Sequence, residues 1–109
     1  MQDADQIDHG VRAAHAAGMA LLAETATGFS VGMHLPDDKL PLIKTMQIDY
    51  LRRAQGDLRA EAHLSEEQIA LMHAQDKGEV TVAVRITDAA GETPIEARMV
   101  WAWVPKARR

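Results

Sequence analysis

The chain has 109 residues, a formal net charge of −4 and no cysteine. This predicts one small domain, 1–109, with a single core, and excludes disulfides, thiolate metal sites, a cysteine nucleophile and the concentrated basic face of a nucleic-acid binder. Its acidic start, MQDADQID, leads into no apolar run near the ~18 residues of a membrane helix, which predicts a cytoplasmic protein without membrane partners. From Val11 to Phe29 apolar residues fall on both sides of a helical wheel, Val11, Ala14, Gly18, Leu22 and Ala26 on one and Met19, Ala20 and Ala23 on another. Such a helix is enclosed, and its alanines and glycines let neighbouring backbone come close.

The period then changes to two. Phe29, Val31, Met33 and Leu35 alternate with small or polar residues, PDDKLP marks a loop, and Met46, Ile48 and Tyr50 alternate up to the turn signal AQGD. Leu58, Ala60, Ala62 and Leu64 alternate in turn. In SEEQIALMHAQDKG, Ser65 caps a short helix, Gln68 completes a capping box, Gly78 suits the far end, and Ile69, Met72 and His73 share the inner face. Val80, Val82, Val84 and Ile86 alternate, DAAGE turns the chain, and Ile95, Ala97, Met99, Trp101 and Trp103 alternate back as a long hairpin. One enclosed helix, about five antiparallel strands and a short extra helix make an α+β domain. Met19, Met33 and Met46 are expected in the core, where flexible thioethers fill irregular space. Trp101 and Trp103 share one strand face, in core or dimer contact.

Glu24 is the chemical anomaly of the helix. It lies nine residues from His15, and no other charge stands between them. A carboxylate among apolar neighbours is expected to sit partly out of water, where desolvation favours its acid form and suits it to proton transfer. Nine residues make two and a half turns, so His15 and Glu24 point to opposite sides, about 13 Å apart along the axis, and form no dyad within one chain. The five histidines, at 9, 15, 34, 63 and 73, show no close ligand pairing, and Ser30 and Ser65 lack a nucleophile elbow. No metal and no cofactor is expected.

HAAGMALLAETATG resembles the helix pattern of phenylacetate-degradation-type acyl-CoA thioesterases of the hotdog fold, in which a sheet wraps one helix. His15, Ala16, Ala17, Leu22, Glu24, Ala26 and Gly28 stand at the matching positions. IDYLRRAQGDLRAEAHL resembles that superfamily's central hairpin, and residues 79–104 its last two strands. The likeness extends over nearly the whole chain and is nearest to a single-domain branch with glutamate at the acidic position. Asp8 or His9 stands where the family has asparagine, alanines replace its two glycines, and the start is expected to be shortened by a strand or arm.

The resemblance implies an acyl-CoA thioesterase acting at a homodimer interface, as a dimer or dimer of dimers, with helices side by side. Glu24 of one copy would be general base on water, or nucleophile; His9 or His15 would orient water or carbonyl. The amides of Ala17 and Gly18, behind Ala16 in the N-terminal turn, would receive the oxyanion. Hotdog dehydratases follow their histidine with a proline-rich and glycine-rich stretch that is missing between His9 and Glu24. The alternative is a non-catalytic acyl-binding or structural hotdog dimer.

Overall fold

The structure is a computed structural model that describes the backbone of residues 4–106 and side chains from Ala17 onward. It is an α+β domain: helix α1 (Ala4–His34), strand β1 (Lys39–Tyr50), strand β2 (Arg59–His63), helix α2 (Glu66–Ala74), strand β3 (Gly78–Thr87) and strand β4 (Ile95–Pro105). The strands form one antiparallel sheet in the order β1-β4-β3-β2, and α1 packs against all four. Among the described residues there are four strands, where about five are expected. The segment from Phe29 to Leu35 belongs to α1, because its apolar residues satisfy the helical period too. Val31 and Leu35, one turn apart, are buried, whereas Phe29 and Met33 are exposed. A strand would have put all four on one face.

The expected enclosure of α1 is also corrected. Met19, Ala23, Thr27, Val31 and Leu35 form a buried i, i+4 stripe, while Leu21, Phe29 and Met33 on the far side are about two-thirds exposed, at 62%, 69% and 66%. Met33 and Met46 are therefore surface residues of the chain; Met19 is core. The core has two lobes. Val31, Leu35, Leu64, Met72, Val80, Val82 and Trp103 fill one; Met19, Ala23, Ala54, Ile86, Ile95 and Met99 fill the other; Trp101 packs against both.

The β3–β4 hairpin forms as expected, Gly78 to Val82 pairing with Trp103 to Met99. β1 pairs along the whole of β4, with a register shift between Ile43 and Thr45. β1 and β2 do not form a hairpin: they occupy opposite edges. The connection from Leu51 to Leu58 crosses the end of the sheet and is tied down there. Leu51 and Arg52 donate amides to Pro94 O, Ala89 donates to Gln55 O at 2.9 Å, and the carboxylate of Asp88 accepts from the Gln55, Ala90 and Glu92 amides at 3.0 Å each. The Gln55 amide foremost, then those of Glu92 and Ala90 and the charge of Arg52, hold the Asp88 carboxyl below its usual value against partial burial. Gly56, at φ +73°, is needed because a Cβ there would meet Ala89 at 2.7 Å.

α2 carries the capping box the sequence predicts, Ser65 Oγ accepting from the Gln68 amide and Gln68 Oε1 from the Ser65 amide. Met72 is buried and Ile69 packs on the core, but His73 is exposed. Gly78 does not end this helix. It opens β3, where a Cβ would stand 2.5 Å from the Trp103 ring. The far end of α2 is closed instead by Lys39, whose buried Nζ donates to Met72 O at 2.9 Å and His73 O at 3.2 Å. Cationic donors are favourable there, at the negative end of the helix dipole.

Candidate functional site

Glu24 lies on the flank of α1, half-buried, between exposed Leu21 and Thr25 and buried Ala23 and Thr27. Its turn is fixed from within. The Thr27 hydroxyl donates back to the carbonyls of Ala23 (2.8 Å) and Glu24 (3.1 Å) and accepts from Trp101 Nε1 at 2.8 Å. The same indole lies so close to Gly28 that a Cβ there would be 2.8 Å from two ring carbons. Because residues i and i+4 share a helix face, Glu24 stands one turn from the position where the Trp101 ring packs. The carboxylate has no hydrogen-bond or ion-pair partner among the described residues.

The side chains of His9, His15 and Ala16 lie outside the described residues; their backbone belongs to α1. Ala17 is exposed, and a Cβ added at Gly18 would meet nothing within 4 Å. The expected oxyanion donors are corrected. α1 begins by Ala4, so Ala17 and Gly18 lie more than three turns inside it, where each amide is used by the carbonyl four residues earlier. The structure thus places Glu24 and residues 16–18 on one continuous helix, about two turns apart, and among the described residues brings none of the other candidate side chains beside Glu24. Among the described residues no group of three His, Cys, Asp or Glu is placed to hold a metal ion, and no helix is long and apolar enough to cross a membrane.

Thr27 is the part of this site that sequence reasoning missed; Gly28 stands among the family positions and Trp101 on its expected strand face, but nothing in the sequence joins them beside Glu24. The inward direction of Trp101 follows from strand periodicity, but its hydrogen bond to a residue 74 positions away leaves no local signal.

The family comparison bears on residues 1–104, which match the model of DUF4442, a domain of unknown function. The chain belongs to the DUF4442 family. No curated protein matches it. Two solved structures do. One is a crystal structure of the BH2602 protein from Bacillus halodurans with CoA, at 23% identity and a TM-score of 0.62, over 84% of this chain and 56% of that one. The other is PA5026 from Pseudomonas aeruginosa, described as a protein of unknown function and probable thioesterase, at 28% identity and a TM-score of 0.54, over 62% of this chain and 48% of that one. The chain spans about half the length of each. The likeness to BH2602 is one of fold, and it agrees with the helix-on-antiparallel-sheet layout expected of a hotdog protein.

Proposed function

We propose that this DUF4442 domain is an acyl-CoA thioesterase that hydrolyses its substrate at a homodimer interface, with Glu24 as general base. The observation that carries this reading is a half-buried, unpartnered carboxylate on the central helix of a fold shared with a CoA-bound protein and a probable thioesterase. A buried acid without a partner is unfavourable unless a ligand or second subunit completes its surroundings. In the reaction Glu24 takes a proton from water as the oxygen attacks the thioester carbonyl. The C–S bond then breaks, and the proton passes to the leaving thiolate, giving free CoA and a carboxylic acid. His9 or His15 of the partner subunit orients the water or the carbonyl, and the stretch Ala16, Ala17 and Gly18, open at Ala17 and Gly18, receives the thioester end of the substrate. Oxyanion stabilisation is not assigned to the Ala17 and Gly18 amides, which the helix uses.

The test is hydrolysis of a panel of acyl-CoAs by the wild-type chain and by Glu24→Gln, which preserves shape and removes the base. The expected loss in kcat is about 10²–10⁴-fold; equal rates reject the assignment. The second reading, an acyl-binding dimer without turnover, is favoured by the helical pairing of those same amides. Calorimetric binding of acyl-CoA with no release of CoA from the wild type would establish it.

A further inference from the structure

α1 covers one face of the sheet and leaves the other open. Val80, Val82, Met99 and Trp103 are buried on the helix side, so strand alternation puts Glu79, Thr81, Arg98, Val100 and Thr45, the partner of Val100, on the open side. A valine there would ordinarily face water, yet Val100 is only 9% exposed. Lys44 is part of the reason. Ile43 pairs with Trp101 and Thr45 with Val100, which leaves Lys44 as the extra residue of a bulge, a device that re-aims a side chain. Its Nζ meets Glu79 Oε2 at 2.6 Å, and since β4 lies between β1 and β3 the pair forms a strap across that strand.

These residues bound a shallow depression of about 250 Å³. Val100 is its floor, the strap from Lys44 to Glu79 stands on one side and Arg98 on the other, and Thr45 and Thr81 close the ends of the row Thr45, Val100, Thr81 that runs across three paired strands. Its charges do not cancel. Lys44 answers Glu79, but Arg98 makes no hydrogen bond or ion pair among the described residues, and neither do the hydroxyls of Thr45 and Thr81. The acids that follow along β4 and β1, Glu96 and its cross-strand partner Asp49, do not pair with Arg98.

We infer that this depression binds a phosphate group, free or as the monoester of a small molecule. Two cations against one carboxylate leave a positive charge that draws an anion. Donors stand on three sides: the guanidinium fork of Arg98, the two threonine hydroxyls, and the N–H groups that Lys44 keeps after one goes to Glu79. A carboxylate has its oxygens in one plane, and a single guanidinium satisfies them. The terminal oxygens of a phosphate point apart and match donors from several sides. The volume lies below the roughly 300–1,000 Å³ of sites for drug-sized ligands, so the ligand is small. Because the depression is across the sheet from α1, its occupant does not reach Glu24 of the same chain, and the site stands or falls independently of the thioesterase reading.

The probes are inorganic phosphate and methyl phosphate, each titrated to about 50 mM with chloride withdrawn to hold the ionic strength, so that general screening stays fixed. Amide shifts of the isotope-labelled chain locate the binding. Saturable shifts are expected, centred on Thr45, Thr81, Arg98 and Val100. Arg98→Gln is expected to weaken binding by about 10–100-fold, and Thr45→Val, which keeps the shape and loses the hydroxyl, by about 2–10-fold. Both residues are exposed, so neither change removes core packing. Arg53→Gln takes the same charge from the crossing loop and is expected to change the affinity by less than about 2-fold. Equal binding of the two probes assigns the phosphate group as such, tighter binding of methyl phosphate an ester, and tighter binding of inorganic phosphate the free ion; each upholds the site. Shifts that stay linear to about 50 mM, acetate bound as tightly as phosphate, an Arg53→Gln loss as large as that of Arg98→Gln, or shifts centred on the α1 side of the sheet overturn it.

Discussion

At the scale of single residues, the turn that carries Glu24 depends on how closely one indole approaches the helix. Trp101 donates to a fully buried hydroxyl and covers Gly28, so the helix backbone can come down on β4 only where no Cβ intervenes. Two glycines of the same helix should therefore respond in opposite directions. Gly28→Ala drives a methyl into the ring and is expected to destabilise by about 1–3 kcal/mol, even though alanine is the better helix former. Gly32→Ala, with nothing within 4 Å of the new methyl, is expected to stabilise by roughly 0.5–1 kcal/mol. Urea unfolding of the two variants checks both, and a stabilised Gly28→Ala would mean that the indole does not sit where described. Glu24 itself is legible in the sequence as a carboxylate inside an apolar run. The brace beneath it is not, because Thr27 and Trp101 meet only through the fold.

At the scale of elements, local chemistry is legible wherever a side chain bonds its own neighbourhood. Ser65 and Gln68 announce the start of α2 because a capping box is completed within four residues. Its end is not announced in this way. Gly78 offers a stop signal, but the closing donors come from Lys39, 33 positions before Met72. The Phe29–Leu35 segment misleads for a related reason: its apolar residues fit periods of both two and four, and only burial against Leu64, Met72 and Val80 decides between them. The oxyanion donors are lost with the helix start, since a helix beginning by Ala4 has no free amides at Ala17. Ser65→Ala is expected to cost about 1 kcal/mol. Lys39→Met keeps the stem but strips two carbonyls of their donor, and is expected to cost about 1–3 kcal/mol. Thermal denaturation compares them, and a Lys39→Met variant as stable as the wild type would show that water serves those carbonyls equally well.

At the scale of the whole molecule, strand pairing is the least legible feature, because the sequence places β1 and β2 eight residues apart and the fold places them at opposite edges. Residues 51–58 can span the three intervening strand spacings, roughly 14 Å, since eight extended residues reach about 26 Å. What fixes this crossing is Asp88, whose carboxylate holds the Gln55 amide of the crossing loop together with two amides of the β3–β4 turn. Global stability should therefore carry its titration. In the folded chain these amides keep the carboxyl below its ordinary value of 3.8, so the unfolded chain takes up a proton first as the pH falls. The stabilisation is fully present above the unfolded value, declines as pH drops through and below 3.8, and is gone once the folded carboxyl is protonated as well. Asp88→Asn removes the charge at every pH. Its melting temperature is expected to lie below that of the wild type at neutral pH, with the gap closing progressively below about pH 4. A gap that stays constant from about pH 7 down to about pH 2 would mean that the Asp88 contacts act through shape alone and not through the ionised carboxylate.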